Sequence, residues 1–292
     1  MAPQSLVTAA CRALIFAAAV ISGTVSAGAQ IGASGPEARP QRIVSLNLCA
    51  DQLLIALADR EQVLSLSPLV RDASVSYFLE EGASYPANGG KGETILFTGS
   101  DLVITGRWGA QATRDLLARQ GFRVVPLDVW QSLEGGRQQI REVARLIGQA
   151  ERGERLVAAI DAALERARGI VPPGRSVLSV HRRGWVQGTD SVLSEILRHM
   201  GFTLHQQRLG LGAGGMARLE RLVVEPPDYA VMDEGVGEAV DNGSAFLVHP
   251  ALSDAIPRER RLQVPGRLLI CGGPSTPAAI DALAAEVRLK VR

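Results

Sequence analysis

Two kinds of apolar pattern alternate along this chain. Short, nearly unbroken apolar runs read as buried strands, and apolar residues spaced three and four apart read as helical faces. Strands are predicted at 42–46, 63–67, 102–104, 122–127, 176–180, 229–232 and 261–264. Leu53, Leu54, Leu57 and Ala58 form a helical stripe, and further helices are predicted at 110–120, 191–200 and 278–287. The first of these three is stopped by Gly121, which can take the left-handed conformation that ends a helix. Strand and helix alternating over 42–131 predict an α/β lobe with a mainly parallel sheet. From 132 to 168 the pattern is helical throughout, with one stripe at Ile140, Val143 and Ile147 and another at Leu156, Ile160 and Leu164, separated by Gly148–Gly153, and the helix joining the lobes is expected near 152–168. About 36 residues without a strand would span roughly 50 Å as one helix. A helical hairpin packed on the first sheet is the alternative for the first half. A second α/β lobe restarts after Val171-Pro172-Pro173-Gly174. The expected organisation is therefore a lobe at 42–131, a helical linker at 132–173 and a lobe at 174–292.

One pattern occurs twice. In ETILFTGSDLVITGRWG, Glu93 precedes Ile95, Leu96 and Phe97, and Asp101 precedes Leu102-Val103-Ile104. In the second copy Glu220 precedes Leu222, Val223 and Val224, and Asp228 precedes Tyr229-Ala230-Val231-Met232. The acids stand eight residues apart both times. Each unit reads as a short helix, a tight turn and a buried strand, the aspartate being a turn residue whose side chain can bond its own backbone. Both strands lead into glycine-containing loops, Gly106-Arg107-Trp108-Gly109 and Gly235-Val236-Gly237. Loops at strand carboxyl ends are where parallel sheets bind ligands. The duplication therefore predicts two lobes facing one ligand across a cleft.

Composition adds a compartment. The first 29 residues contain no acid and one base, Arg12, ahead of an apolar run at 13–21 and small residues suited to cleavage. That is the outline of a signal peptide, too short in its apolar part to span a bilayer. A net charge of +1 with scattered bases leaves no nucleic-acid footprint. Beyond the leader the cysteines are Cys49, after the first strand, and Cys271, after the last. Each fits a buried apolar position, but in an oxidising compartment they can also pair, or both line the cleft.

Candidate chemistry points to binding rather than catalysis. The glycine-rich 210–215 stretch matches G-x-G-x-x-G, yet no buried strand precedes it, so it reads as a flexible loop. The four histidines, His181, His199, His205 and His249, share no ligand spacing within a helix, and no metal site or resident cofactor is expected. Arg107-Trp108 and Trp185 are loop aromatics at strand ends, suited to stacking on a large flat or anionic ligand. Glu93 and Glu220, each opening a repeated unit, suggest a symmetric partner.

These stretches, with RIVSLNLCADQLLIALAD and LERLVVEPPDYAVMDEG, resemble the substrate-binding proteins of ABC importers for ferric siderophores and vitamin B12. The resemblance covers roughly 41–287. It implies two α/β lobes joined by a long rigid helix, with a ligand cleft between them and little hinge motion. It also implies a periplasmic, monomeric protein that hands its ligand, a ferric siderophore, corrinoid or haem, to a permease dimer with ATPase subunits. Ligand contacts are then expected from Asn47, Arg71, Arg107, Trp108, His181, Trp185 and Cys271. Glu93 and Glu220 hold the positions of the family's permease-docking acids. Gly89-Gly90-Lys91 and Cys271-Gly272-Gly273 stand where corrinoid binders often carry aromatics, which leaves a ferric chelate as open as a corrinoid. The alternatives are an exported α/β enzyme and a non-transporting sensor on the same scaffold.

Overall fold

The computed structural model describes residues 39–233 and 241–292. The leader at 1–29 and the Gly235-Val236-Gly237 loop lie outside the described residues. The first half contains β1 (Ile43–Ser45), α1 (Leu48–Leu57), β2 (Val63–Ser65), α2 (Leu79–Ala83), β3 (Leu102–Gly106), α3 (Gln111–Arg119) and β4 (Val124–Leu127). Two helices follow, α4 (Leu133–Leu146) and α5 (Ala150–Arg166). The second half begins with β5 (Ser176–Ser179), β6 (Trp185–Val186), α6 (Val192–Met200), β7 (Thr203–Leu204), β8 (Gly215–Met216) and α7 (Leu219–Val224). It ends with β9 (Tyr229–Asp233), α8 (Asn242–Ala245), α9 (Pro250–Ala255), β10 (Arg261–Val264) and α10 (Thr276–Lys290).

Two four-stranded parallel sheets result, ordered β2-β1-β3-β4 and β7-β5-β9-β10, so the lobes share one topology. The repeated aspartates do the same work in each, though not on their own turns. Asp101 accepts from the backbone N–H groups of Gln41 and Arg42 at 2.7 and 3.0 Å, just before β1. Asp228 accepts from the N–H and hydroxyl of Ser176 at 2.8 and 2.7 Å, where β5 begins. Each acid thus ties the start of its own strand to the start of the neighbouring one and sets the parallel register. The reading of these acids as self-bonded turn residues is corrected accordingly.

Side chains that alternate along the strands feed different cores. Ile43, Leu102 and Ile104 of the first sheet and Val177, Tyr229, Val231, Leu262 and Val264 of the second join one continuous cluster with α1, α4, α5, α6 and α10. Their neighbours Val44 and Val103 face a small outer core, and Leu178, Ala230 and Met232 face another. The inner faces of both sheets therefore share one apolar interior. Separating the lobes would expose it, which favours a rigid pair.

The 36-residue helical stretch is not one helix. It breaks at Gly148, whose φ of 72° ends α4, and α5 folds back beside it. Arg141–Glu154 and Arg137–Asp161 ion pairs at 2.9 and 2.6 Å cross between them. The connecting helix is α5 alone, 17 residues and about 25 Å long. Arg152 near its start donates to the carbonyl of Leu57 in α1, and Arg166 at its end pairs with Asp281 in α10.

The first turn of α1 carries a buried carboxylate. Asp51 accepts from the backbone N–H and hydroxyl of Ser67, holding the loop after β2. Burial pushes its pKa up to about 6 from 3.8, against the opposing hydrogen bonds from Ser45 and Ser67. The folded state therefore holds this proton more tightly than the unfolded chain. The stabilisation from protonated Asp51 is complete below about pH 4 and is lost as pH rises to about 6 and beyond, roughly 3 kcal/mol across the window. Asp51→Asn can keep both Ser67 bonds without ionising. It is expected to match the wild type in denaturant melts near pH 4 and exceed it by about 1–3 kcal/mol at pH 7.5. Parallel stability curves for the two proteins would refute this.

Candidate functional site

The carboxyl ends of the first sheet and the loops of the second lobe meet at a seam made by three consecutive residues. Cys271 forms a disulfide with Cys49 in the first turn of α1, with Cα atoms 5.3 Å apart. Gly272 lies flat against the Trp130 indole, so close that an added Cβ would sit 2.2 Å from Cδ2. Gly273, at φ 108°, packs against Leu53. The far side of the indole meets Gly136 of α4 equally closely, so Trp130 fills a slot between two glycines. Its Nε1–H donates to Gln139 at 2.9 Å, which fixes the ring plane. A further bond crosses the lobes nearby, from the Leu133 N–H to the Glu195 carboxylate at 2.6 Å. This places an anion at the positive end of α4.

Beside the seam lies a cavity of about 530 Å³, within the range of small-ligand sites. The first lobe contributes Val129, Trp130 and Gln131. The second contributes Trp185 and Gln187 from the β6 region, Asp190, and the wall from Leu268 to Gly272. Trp185 stands opposite Met216 in the short β6–β8 antiparallel ribbon, and both are half exposed. The glycine-rich 210–215 stretch, read from sequence as a flexible loop, thus delivers β8 to this ribbon.

The sequence matches the family model for periplasmic binding proteins over residues 43–255. The chain belongs to that family. It is a binding protein of the periplasm, not an enzyme. Among solved structures, the periplasmic heme-binding protein RhuT from Roseiflexus sp. RS-1 in apo form superposes with a TM-score of 0.66 at 24% identity, covering 84% of this chain and 95% of that one. A periplasmic heme-binding protein from Pseudomonas aeruginosa gives 0.66 at 20%, covering 86% and 93%. HutB of Vibrio cholerae, also described as a periplasmic heme-binding protein, gives 0.65 at 17%, covering 84% and 98%. These likenesses establish the two-lobed fold. No curated protein matches the sequence.

Within this periplasmic binding protein the predicted ligand residues do not all gather. Trp185 and Cys271 line the cavity, and Cys271 is tied up in its disulfide and offers no free thiolate. Arg107 and Trp108 line a separate depression on the first lobe with Gln111 and Arg114. There the Arg107 guanidinium is already held by Asp128, whose pKa it depresses. Asn47 caps α1, accepting from the N–H groups of Cys49 and Ala50. Arg71 donates to the Tyr85 carbonyl. His181 Nε2 meets the Ser179 hydroxyl at 3.0 Å, and burial holds its pKa below the usual value, offset in part by Asp233. His205 is buried, its Nε2 on the Glu225 carbonyl at 2.9 Å. The residue missed from sequence is Trp130. Its signal was present only in part: an aromatic directly after a strand, with glycine pairs at 135–136 and 272–273 to receive it.

Glu93 and Glu220 are both exposed, on a 3-10 turn and on α7. Four residues beyond each stands an exposed apolar side chain, Phe97 at 92% and Val224 at 83%. Ile95 and Leu222 between them are fully buried. The repeat therefore builds the same acid-and-apolar surface on both lobes.

Proposed function

We propose that this protein captures an iron chelate or corrinoid in the cavity between its lobes and delivers it to the permease of an ABC importer. The observation that carries this reading is the cavity itself, lined by a tryptophan from each lobe and lying beside the disulfide seam. Family membership supports ligand capture in the periplasm, and the leader at 1–29 would export the chain there. The similar structures are described as haem-binding, which supports keeping haem among the candidate ligands. Glu93 with Phe97 and Glu220 with Val224 are the docking surfaces. A dimeric permease offers two equivalent sites, and a carboxylate pairs well with arginine through two hydrogen bonds. We read the protein as a monomer serving one permease dimer and its ATPase subunits.

Capture is tested by thermal shift across corrinoids, haemin and ferric siderophores. A ligand at about a hundred times its Kd adds about 2.7 kcal/mol to the folded state. Delivery is tested by the Glu93→Arg/Glu220→Arg variant in an uptake assay. The ligand shift is expected to stay intact while uptake nearly vanishes, because rim charges govern encounter with a partner more than the ligand pocket. Normal uptake by an exported, folded double variant would leave both acids as ordinary surface charges.

A further inference from the structure

The cavity wall has a chemical character that its volume does not convey. Among the described residues lining it, Asp190 is the sole charged side chain, and there is no Arg, Lys or His. Trp185 presents a half-exposed indole from the second lobe, Trp130, packed between Gly136 and Gly272, closes the wall from the first, and Val129 and Ile270 add partly exposed aliphatic surface. An indole face attracts a cation or an apolar plane through its quadrupole and offers nothing to an anion. A carboxylate within the same partly enclosed space raises the cost of bringing in negative charge.

The wall is equally poor in ligands for an open metal position. The Cys271 sulfur is consumed by the disulfide, and His181 is engaged by Ser179 outside the cavity. Met216, opposite Trp185, offers a thioether that serves better as a polarisable contact than as a strong donor. Among the described residues no three His, Cys, Asp or Glu side chains gather to hold a metal ion. The depression on the first lobe differs, since it carries Arg107 and Arg114 beside Trp108.

We propose that the inter-lobe cavity selects an uncharged or cationic chelate whose metal is already fully coordinated, held by the Trp185 indole and Asp190, and discriminates against polyanionic chelates. This rests on the reading of the protein as a chelate-capturing receptor. It narrows the candidates to hydroxamate-type ferric chelates and corrinoids, and it removes the ferric tris-catecholates and any haem whose iron must be ligated by the chain.

The test is tryptophan-quenching titration of the intact oxidised protein with four probes: monocationic ferrioxamine B, uncharged cyanocobalamin, a trianionic ferric tris-catecholate, and haemin. Ferrioxamine B or cyanocobalamin is expected to bind at least about tenfold more tightly than the tris-catecholate, a difference of about 1.4 kcal/mol. Trp185→Ala should weaken the preferred probe about tenfold or more. Asp190→Lys should weaken ferrioxamine B by a similar factor while strengthening the tris-catecholate. Trp108→Ala should leave all four titrations unchanged. The tris-catecholate binding tightest, with the loss in Trp108→Ala instead of Trp185→Ala, would overturn the proposal and move the site to the Arg107 depression. Haemin bound with the Soret band of protein-ligated iron would overturn it as well. Failure of every probe to bind a cooperatively folding protein would remove chelate capture itself, and this inference with it.

Discussion

Removing the inter-lobe disulfide in the Cys49→Ser/Cys271→Ser variant is expected to cost up to about 5 kcal/mol of stability. The bond joins residues 222 positions apart, so it closes nearly the whole folded chain into one loop. In the chain-entropy treatment the restriction on the unfolded state grows with the logarithm of loop length, which gives about 5 kcal/mol for a loop of this size. Spread over an unfolding entropy set by the roughly 250 described residues, that corresponds to a fall in Tm of about 10 °C. Two serines leave no unpaired thiol to complicate the comparison. The wild type melted in reductant should drop to the position of the variant, and the variant should ignore reductant. Coincident melts of oxidised wild type and variant would show that the bond contributes nothing to stability. The shared apolar interior predicts that the variant still folds, because the core between the sheets does not pass through the sulfurs.

The second large effect is expected at the Trp130 slot. Gly272→Ala places a methyl group 2.2 Å from the indole, against a ring that Gly136 blocks on its other face. Trp130 must leave the slot or the seam must spread. Overpacking of this kind costs typically about 1–3 kcal/mol. Trp130→Ala empties the slot, at a cost of about 3 kcal/mol from lost burial and the cavity left behind. The two are in contact, so they should not add. Once the ring is gone the methyl has space, and Gly272→Ala should cost almost nothing in the Trp130→Ala background. Both single variants should also lose ligand binding, since Trp130 and Gly272 are cavity wall. Simple additivity in the double-mutant cycle would mean that the close approach is not what makes position 272 a glycine.

The predicted site residues show how far local reasoning reached. Arg107, Trp108 and His181 do follow the carboxyl ends of β3 and β5, as their sequence positions predict, whereas Trp185 opens a strand of its own, β6. Being at a strand end locates a side chain on the ligand-binding edge of its own lobe. It does not say which part of that edge the other lobe covers. Trp185 shares the cavity lining with the other lobe's Trp130, on a ribbon formed by β6 and β8, a pairing between residues 31 positions apart in sequence. Arg107 is instead paired with Asp128, just past the end of β4, which the sequence shows as one more loop acid. Trp130 is an unremarked aromatic until Gly136 and Gly272 close on it from two different lobes.

Sequence by itself determined the seven longer strands, the lobe duplication and the parallel character of the sheets, because apolar runs, strand–helix alternation and the repeated acid at a strand start are local patterns. The two-residue strands β6, β7 and β8, of which β7 is an edge of the second sheet, exist only through pairing with strands distant in the chain. The Cys49–Cys271 bond, the fold-back of α5 along α4 after Gly148 and the membership of the cavity wall were decided only in three dimensions. Two cysteines separated by 222 residues carry no sequence signal of being 5.3 Å apart at their Cα atoms. A helical pattern reads the same whether it continues or folds back on itself. The wall of the cavity combines segments near 130, 187 and 270, and their proximity follows from how the two inner sheet faces share one core. That sharing is a property of the whole packed chain, because it is set by the total apolar surface both lobes must hide and not by any stretch within either.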